Sequence, residues 1–213
     1  MRVLVVYESM YGNTHTVAER IGDGLAADGG ITAEVVPVGD ATPERVRDAD
    51  LVVVGGPTHV HGISTSFSRK QAVTDETLAK EAEKGHDLEV DPDAEGPGQR
   101  DWFSEMGAPR PTFAAAFDTR FDGPGALTGR ASRGIARKLR HHGFHVVADP
   151  ESFLVDQETH LVDGEAERAE RWGHDLLAAV ARRAEATRRE PPGEDPLEPL
   201  DATVESGGRY DPR

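Results

Sequence analysis

The chain has 213 residues, 39 acidic against 24 basic side chains for a net charge of −15, 37% hydrophobic residues and no cysteine. That is enough for one globular domain with residues to spare, and the lack of cysteine excludes disulfides, thiolate metal sites and thiol nucleophiles. The acidic balance argues against nucleic acid, whose phosphates are bound by Lys and Arg, and apolar runs such as Leu51 to Val54 fall far short of the roughly 20 residues of a membrane span.

The chain enters a strand pattern at once, Arg2-Val3-Leu4-Val5-Val6, without a charged segment followed by an apolar stretch and a cleavage site. The expected location is the cytoplasm. Strands are predicted at Val3 to Tyr7, Ala33 to Val38, Leu51 to Gly55, Thr112 to Phe117 and Phe144 to Ala148. The first and third are continuously apolar and valine-rich, as central parallel strands buried on both faces should be. Between them, Thr14 to Ala27 reads as a helix with Val17, Ile21 and Leu25 on one face. Thr42-Pro43 reads as an N-cap followed by proline at the first helical position. A third helix is expected from near Ser66. A fourth runs from Ser132 to His142, with Ile135 and Leu139 inward and Gly143 at the left-handed position after its end. The fifth follows Asp163 and buries Ala169, Trp172, Leu176 and Val180.

Five strands alternating with helices predict an α/β fold, a doubly wound five-stranded parallel sheet in the order 2-1-3-4-5. Pro37 suits a second strand at the sheet edge, where a missing donor costs little. Residues 75–105 hold eleven Asp or Glu against three Lys or Arg and read as an acidic insertion, with a mobile surface loop from Gly85 to Gly98. Residues 1–187 are expected to form the domain and 188–213, rich in proline and acid, a disordered tail.

In such sheets a ligand sits beyond the carboxyl ends of the strands, which makes the turn after the first strand the place to look. It reads Ser9-Met10-Tyr11-Gly12-Asn13-Thr14. It lacks the three spaced glycines of a dinucleotide site and the lysine of a nucleotide triphosphatase. Hydroxyls at both ends, an amide and a glycine at a helix N-terminus can hold a phosphate monoester without Lys or Arg. The same residues also suit an ordinary turn capped by Asn13 or Thr14.

Tyr7-Glu8-Ser9-Met10-Tyr11-Gly12-Asn13-Thr14 resembles the phosphate-binding loop of the flavodoxin family, and Ser-Met-Tyr-Gly is similar to that of the flavodoxin-like quinone reductases. Val54-Gly55-Gly56-Pro57-Thr58-His59 resembles the strand-three loop of the same family. Ala116 to Arg120 and Glu151 to Val155 resemble the closing half of its single-domain bacterial members. The resemblance implies a flavodoxin-like fold with FMN as cofactor. It assigns Ser9, Met10, Tyr11, Gly12, Asn13 and Thr14 to the FMN phosphate, with Ser9, Asn13 and Thr14 donating from their side chains. It places Pro57, Thr58, His59, Val60, His61 and Gly62 on one side of the ring and Thr119, Arg120 and Phe121 on the other. Many flavodoxins set Trp and Tyr against the ring faces; here His59 or His61 and Phe121 stand there, which reduces stacking area. Gly62 is the implied flexible peptide at the ring's N5–H.

The implied function is electron transfer, with a redox partner protein or a small-molecule acceptor as partner and neither nucleic acid nor membrane. An NAD(P)H-dependent quinone reductase and a binding or regulatory module without tight flavin binding are the alternatives. The acidic chain would raise the cost of an anionic reduced flavin and make the protein a reductant. His59-Val60-His61 could offer two imidazoles to a metal, but no third ligand can be paired with them, so no metal is expected. No catalytic triad or nucleophile elbow can be placed near these loops.

Overall fold

The computed structural model describes residues 1–27, 29–59, 62–63, 90–92, 94, 98–106 and 112–189. The helix expected from Ser66, Val60, His61, most of the acidic insertion and residues 190–213 lie outside them.

Strands β1 (Arg2–Tyr7), β2 (Thr32–Pro37), β3 (Leu51–His59) and β5 (Phe113–Phe121) run parallel. A short β4 (Gly62–Ile63) turns back antiparallel on the end of β3. The order is β2-β1-β3-β5-β6, with β6 (His145–Val146) and β7 (Glu151–Val155) both alongside β5. This is the 2-1-3-4-5 arrangement of a doubly wound sheet flanked by helices. Pro37 lies opposite Tyr7 on the edge strand, where no neighbour requires its missing donor.

Alternate strand residues feed two cores. Leu4, Val6, Val52, Val54, Ala114 and Ala116 pack beneath α2 (Pro43–Asp48), α3 (Gln99–Glu105) and α5 (Ala131–His141). Val3, Val5, Val53, Ala115 and Phe117 face α1 (Asn13–Ala26) and α6 (Glu165–Arg189). The helices α1 and α6 touch closely because each presents a glycine at the crossing. A Cβ on Gly24 would strike the backbone of Glu170, and one on Gly173 the backbone of Ile21. Thr42 caps α2 by accepting from Arg45 N at 3.4 Å, and Gly143 takes φ +88° after α5, both as expected.

Four expectations need correction. The third and fourth strands run on to His59 and Phe121 instead of ending at Gly55 and Phe117, because Gly55, Gly56 and Pro57 pair with Phe117, Asp118 and Thr119, and β7 pairs with residues 117–121. Thr119, Arg120 and Phe121 are therefore strand residues. The fifth strand is two pieces: β6 pairs with Phe113 and Ala114, while β7 pairs further along, beyond Pro150, which has no N–H to donate. Next, the described end of the acidic insertion is core: Trp102 and Phe103 on α3 and Met106 after it are buried, and Trp102 Nε1 donates to Ala41 O at 2.7 Å. Three large apolar side chains within five positions outweigh the acidic composition around them. Lastly, α6 continues through Arg189, past the expected start of the tail at 188. Among the described residues, no helix is long and apolar enough to cross a membrane.

Candidate functional site

The carboxyl end of β1 is fixed where Glu8 N donates to Gly55 O at 3.0 Å, and the chain then turns into α1. Gly12 sits at the N-cap with φ +80°, and nothing lies within 4 Å of where its Cβ would be. Glycine is required there for conformation, not for space. Among the described residues no side chain caps α1, and no acid occupies its first turn. Ser9 is 2% exposed, and its Oγ has no hydrogen-bond partner among the described residues. A buried hydroxyl without a partner among the described residues, beside an uncapped helix N-terminus, can hold an anion.

The capped-turn alternative does not describe this loop. Asn13 Nδ2 donates to Thr159 O at 2.6 Å, and Thr14 Oγ1 lies 2.7 Å from Thr119 Oγ1 in a buried hydroxyl pair. Both side chains reach across to other strand ends instead of back to their own helix.

Met10, Tyr11, Asn13, Thr14, Pro57, Thr58, Thr119, Arg120 and Phe121 line one cleft at the carboxyl edge of the sheet, together with Val155 and Thr159. Nine of the positions suggested by sequence therefore converge; Ser9 and Gly12 belong to the turn at its head. Gly62 stands opposite His59 in the β3–β4 pair. The side chain of His59, and Val60 and His61 entirely, lie outside the described residues. Thr58 Oγ1 accepts from Ala131 N at 2.9 Å, tying the wall of the cleft to the start of α5. Arg120 Nη1 donates to Gly123 O at 2.8 Å and to Phe121 O at 3.1 Å, which folds the guanidinium under its own loop. Phe121 is 51% exposed at the rim.

Several contributors went unread in the sequence. Asp118 is fully buried and accepts from Ser132 N at 2.7 Å, a second tie to α5. Burial pushes its carboxyl pKa up, and the bond from Ser132 N opposes that only in part. Its Oδ1 and the hydroxyls of Ser132 and Ser152 are buried without partners among the described residues. Behind the cleft, Gln99 N donates to Glu8 Oε2 at 2.8 Å, its side-chain amide bonds Gly55 O, and a Cβ on Gly56 would run into that amide. Asp91 N donates to Met10 O at 2.8 Å, and its carboxylate lies 3.3 Å from His15 Nδ1, whose ring stacks on Tyr7 at 4.4 Å. On the third side, Arg168 and Leu154 N both bond Glu165, and Arg168 lies over the Phe153 ring at 4.4 Å. Burial alone would raise Glu165, but the bonds from Arg168 and Leu154 outweigh it and hold its pKa down.

The Flavodoxin family model matches residues 5–94, the stretch that contains the turn and β3. The fold is flavodoxin-like. Over 81 aligned residues it is 31% identical to an NAD(P)H dehydrogenase (quinone) of Trichlorobacter lovleyi, covering 27% of this chain and 40% of that one. Over 68 residues it is 35% identical to a flavodoxin of Aquifex aeolicus, covering 32% of this chain and 37% of that one. The matches thus span well under half the length of these curated relatives. Among solved structures, a flavodoxin from the domain Archaea superposes with a TM-score of 0.55 at 21% identity, over 85% of this chain and 99% of the other, which shows the shared fold. The Flavodoxin family matched over residues 5–94 implies a flavin, and the uncapped α1 turn, with a Ser9 hydroxyl that has no partner among the described residues, fits the phosphate that FMN carries.

Proposed function

We propose that this flavodoxin-like protein binds FMN and works as an electron carrier, passing electrons to a redox partner protein or a small-molecule acceptor. The observation that supports this most is the buried Ser9 Oγ, without a partner among the described residues, beside the uncapped N-terminus of α1, at the head of a cleft walled by Pro57, Thr58, Thr119 and Phe121. FMN supplies reversible one- and two-electron transfer when bound. The chain's own part is to hold and orient it. The amides of the α1 turn and the Ser9 hydroxyl take the phosphate, while the ends of β3 and β5 flank the ring. No Lys or Arg lies between Glu8 and Thr14, so hydrogen bonds and the helix dipole carry that recognition. The net charge of −15 lowers the potential of a flavin that becomes anionic on reduction and steers basic partners towards the protein.

Quinone reduction with NAD(P)H is the second reading, favoured by the similarity to the Trichlorobacter lovleyi dehydrogenase over 81 aligned residues. Titration with FMN, followed by a steady-state assay with NAD(P)H and quinone, separates the readings. A carrier quenches flavin fluorescence, melts at a higher temperature with FMN and oxidises NAD(P)H only when a reductase is added. Turnover without a reductase supports the enzyme. No quenching and an unchanged melting temperature leave a flavin-free binding module.

A further inference from the structure

Thr159 is the one non-glycine residue with positive φ among the described residues, at +65°. A β-branched side chain in the left-handed region is held there only by surroundings that outweigh the strain. Those surroundings are a closed turn following β7. Asp156 Oδ1 accepts from Glu158 N at 2.9 Å and from His160 N at 2.8 Å. The backbones of Asp156 and His160 bond at 2.9 Å, and Thr159 N donates to Asp156 O at 3.2 Å. Beneath it, Val155 and Leu161 form an antiparallel bridge. This turn aims the Thr159 carbonyl at Asn13, the first residue of α1, whose Nδ2 it receives at 2.6 Å.

We propose that Thr159 is a positioning residue for the phosphate end of the site, acting through Asn13. The inference rests on the FMN reading given above. A carboxamide nitrogen carries two hydrogens in one plane. Giving one of them to Thr159 O fixes that plane and directs the other towards the uncapped α1 turn, where the phosphate binds. The strained turn thereby makes a long, adaptable side chain into a preset donor, and the ordering cost of Asn13 is met before the ligand arrives.

The test uses the full chain with two ligands that differ only in the phosphate, FMN and riboflavin. Asp156→Ala removes both side-chain bonds that close the turn and is expected to weaken FMN about tenfold while leaving riboflavin unchanged, as loss of one charge-assisted donor should. Asp156→Asn retains an acceptor oxygen and restores FMN affinity. In the unaltered protein, FMN shifts the NMR signal of the second Asn13 side-chain proton, a readout that needs no variant to fold. The inference is overturned if Asp156→Ala weakens both ligands alike or neither, or if that proton ignores FMN. Should the parent protein bind neither flavin, the cofactor reading falls and takes the inference with it. Binding of FMN by the parent with any of the other adverse results overturns the inference alone.

Discussion

The two ends of the cleft are built on different principles. At the proposed phosphate end, consecutive residues Ser9 to Thr14 make one turn whose shape is set by a single glycine at φ +80° and which offers backbone amides and a buried hydroxyl to a ligand. At the ring end, the walls come from β3, β5 and the segment after β7, residues far apart in the chain and joined by the pairing of Pro57 with Thr119 and Phe121 with Val155. At the first end Ser9, Met10 and Thr14 are buried, while Tyr11, Gly12 and Asn13 are half-buried. The second is open, with Phe121 half in solvent and Arg120 folded under its own loop. Binding energy should therefore concentrate at the phosphate, and the ring should be held loosely enough to exchange electrons at the rim.

The largest effect that could break this contrast is at Ser9. Ser9→Ala is expected to weaken FMN about tenfold while leaving the ligand-free protein as stable as before or slightly more so, because it removes a buried polar atom that has no partner among the described residues. Isothermal titration and thermal melts measure the two halves of that statement. A variant that loses stability without losing affinity would make Ser9 part of the scaffold.

A middle-sized effect is expected from Asp118, which ties the ring-end strand to α5. Its pKa is raised in the fold by burial, so its contribution to stability is full below the unfolded value of about 3.9 and is lost as pH rises through the folded value. Asn at this position can still accept from Ser132 N and has hydrogens to offer the nearby hydroxyls. The melting temperature of Asp118→Asn relative to the parent should therefore climb between pH 4 and pH 7. Glu165, whose pKa is held down, contributes in the opposite sense, with stability lost as pH falls, but it is common to both proteins and cancels. A difference that stays flat across this range would show that Asp118 ionises at no cost.

The smallest effect belongs to Phe121. Exposed at the rim, it can cover only part of one ring face, so Phe121→Ala should change FMN affinity by only about twofold. A tenfold loss would move the weight of binding to the ring and reverse the contrast.

The same contrast explains what could be read from the sequence. The sheet order followed from valine-rich runs alternating with helical periods, and the phosphate turn from residue types set side by side in the chain. Thr159 and Asp118 left no comparable trace. A threonine in a run of polar residues does not announce φ +65°, and the tie from Asp118 to Ser132 depends on register between elements fourteen positions apart. The acidic segment misled because its average charge conceals Trp102, Phe103 and Met106, whose packing against Ala41 and the sheet is a tertiary fact. On the ring side the resemblance named Pro57 to Gly62 and Thr119 to Phe121, and of these Pro57, Thr58 and the β5 residues are the described walls of the cleft.

The most direct measurement is a paired titration of the purified protein with FMN and with riboflavin, followed by flavin fluorescence. A turn that grips the phosphate through backbone amides and Ser9 predicts that FMN binds at least tenfold more tightly than riboflavin and that added inorganic phosphate competes with it. Equal affinity for the two flavins, or no binding of either, would contradict it.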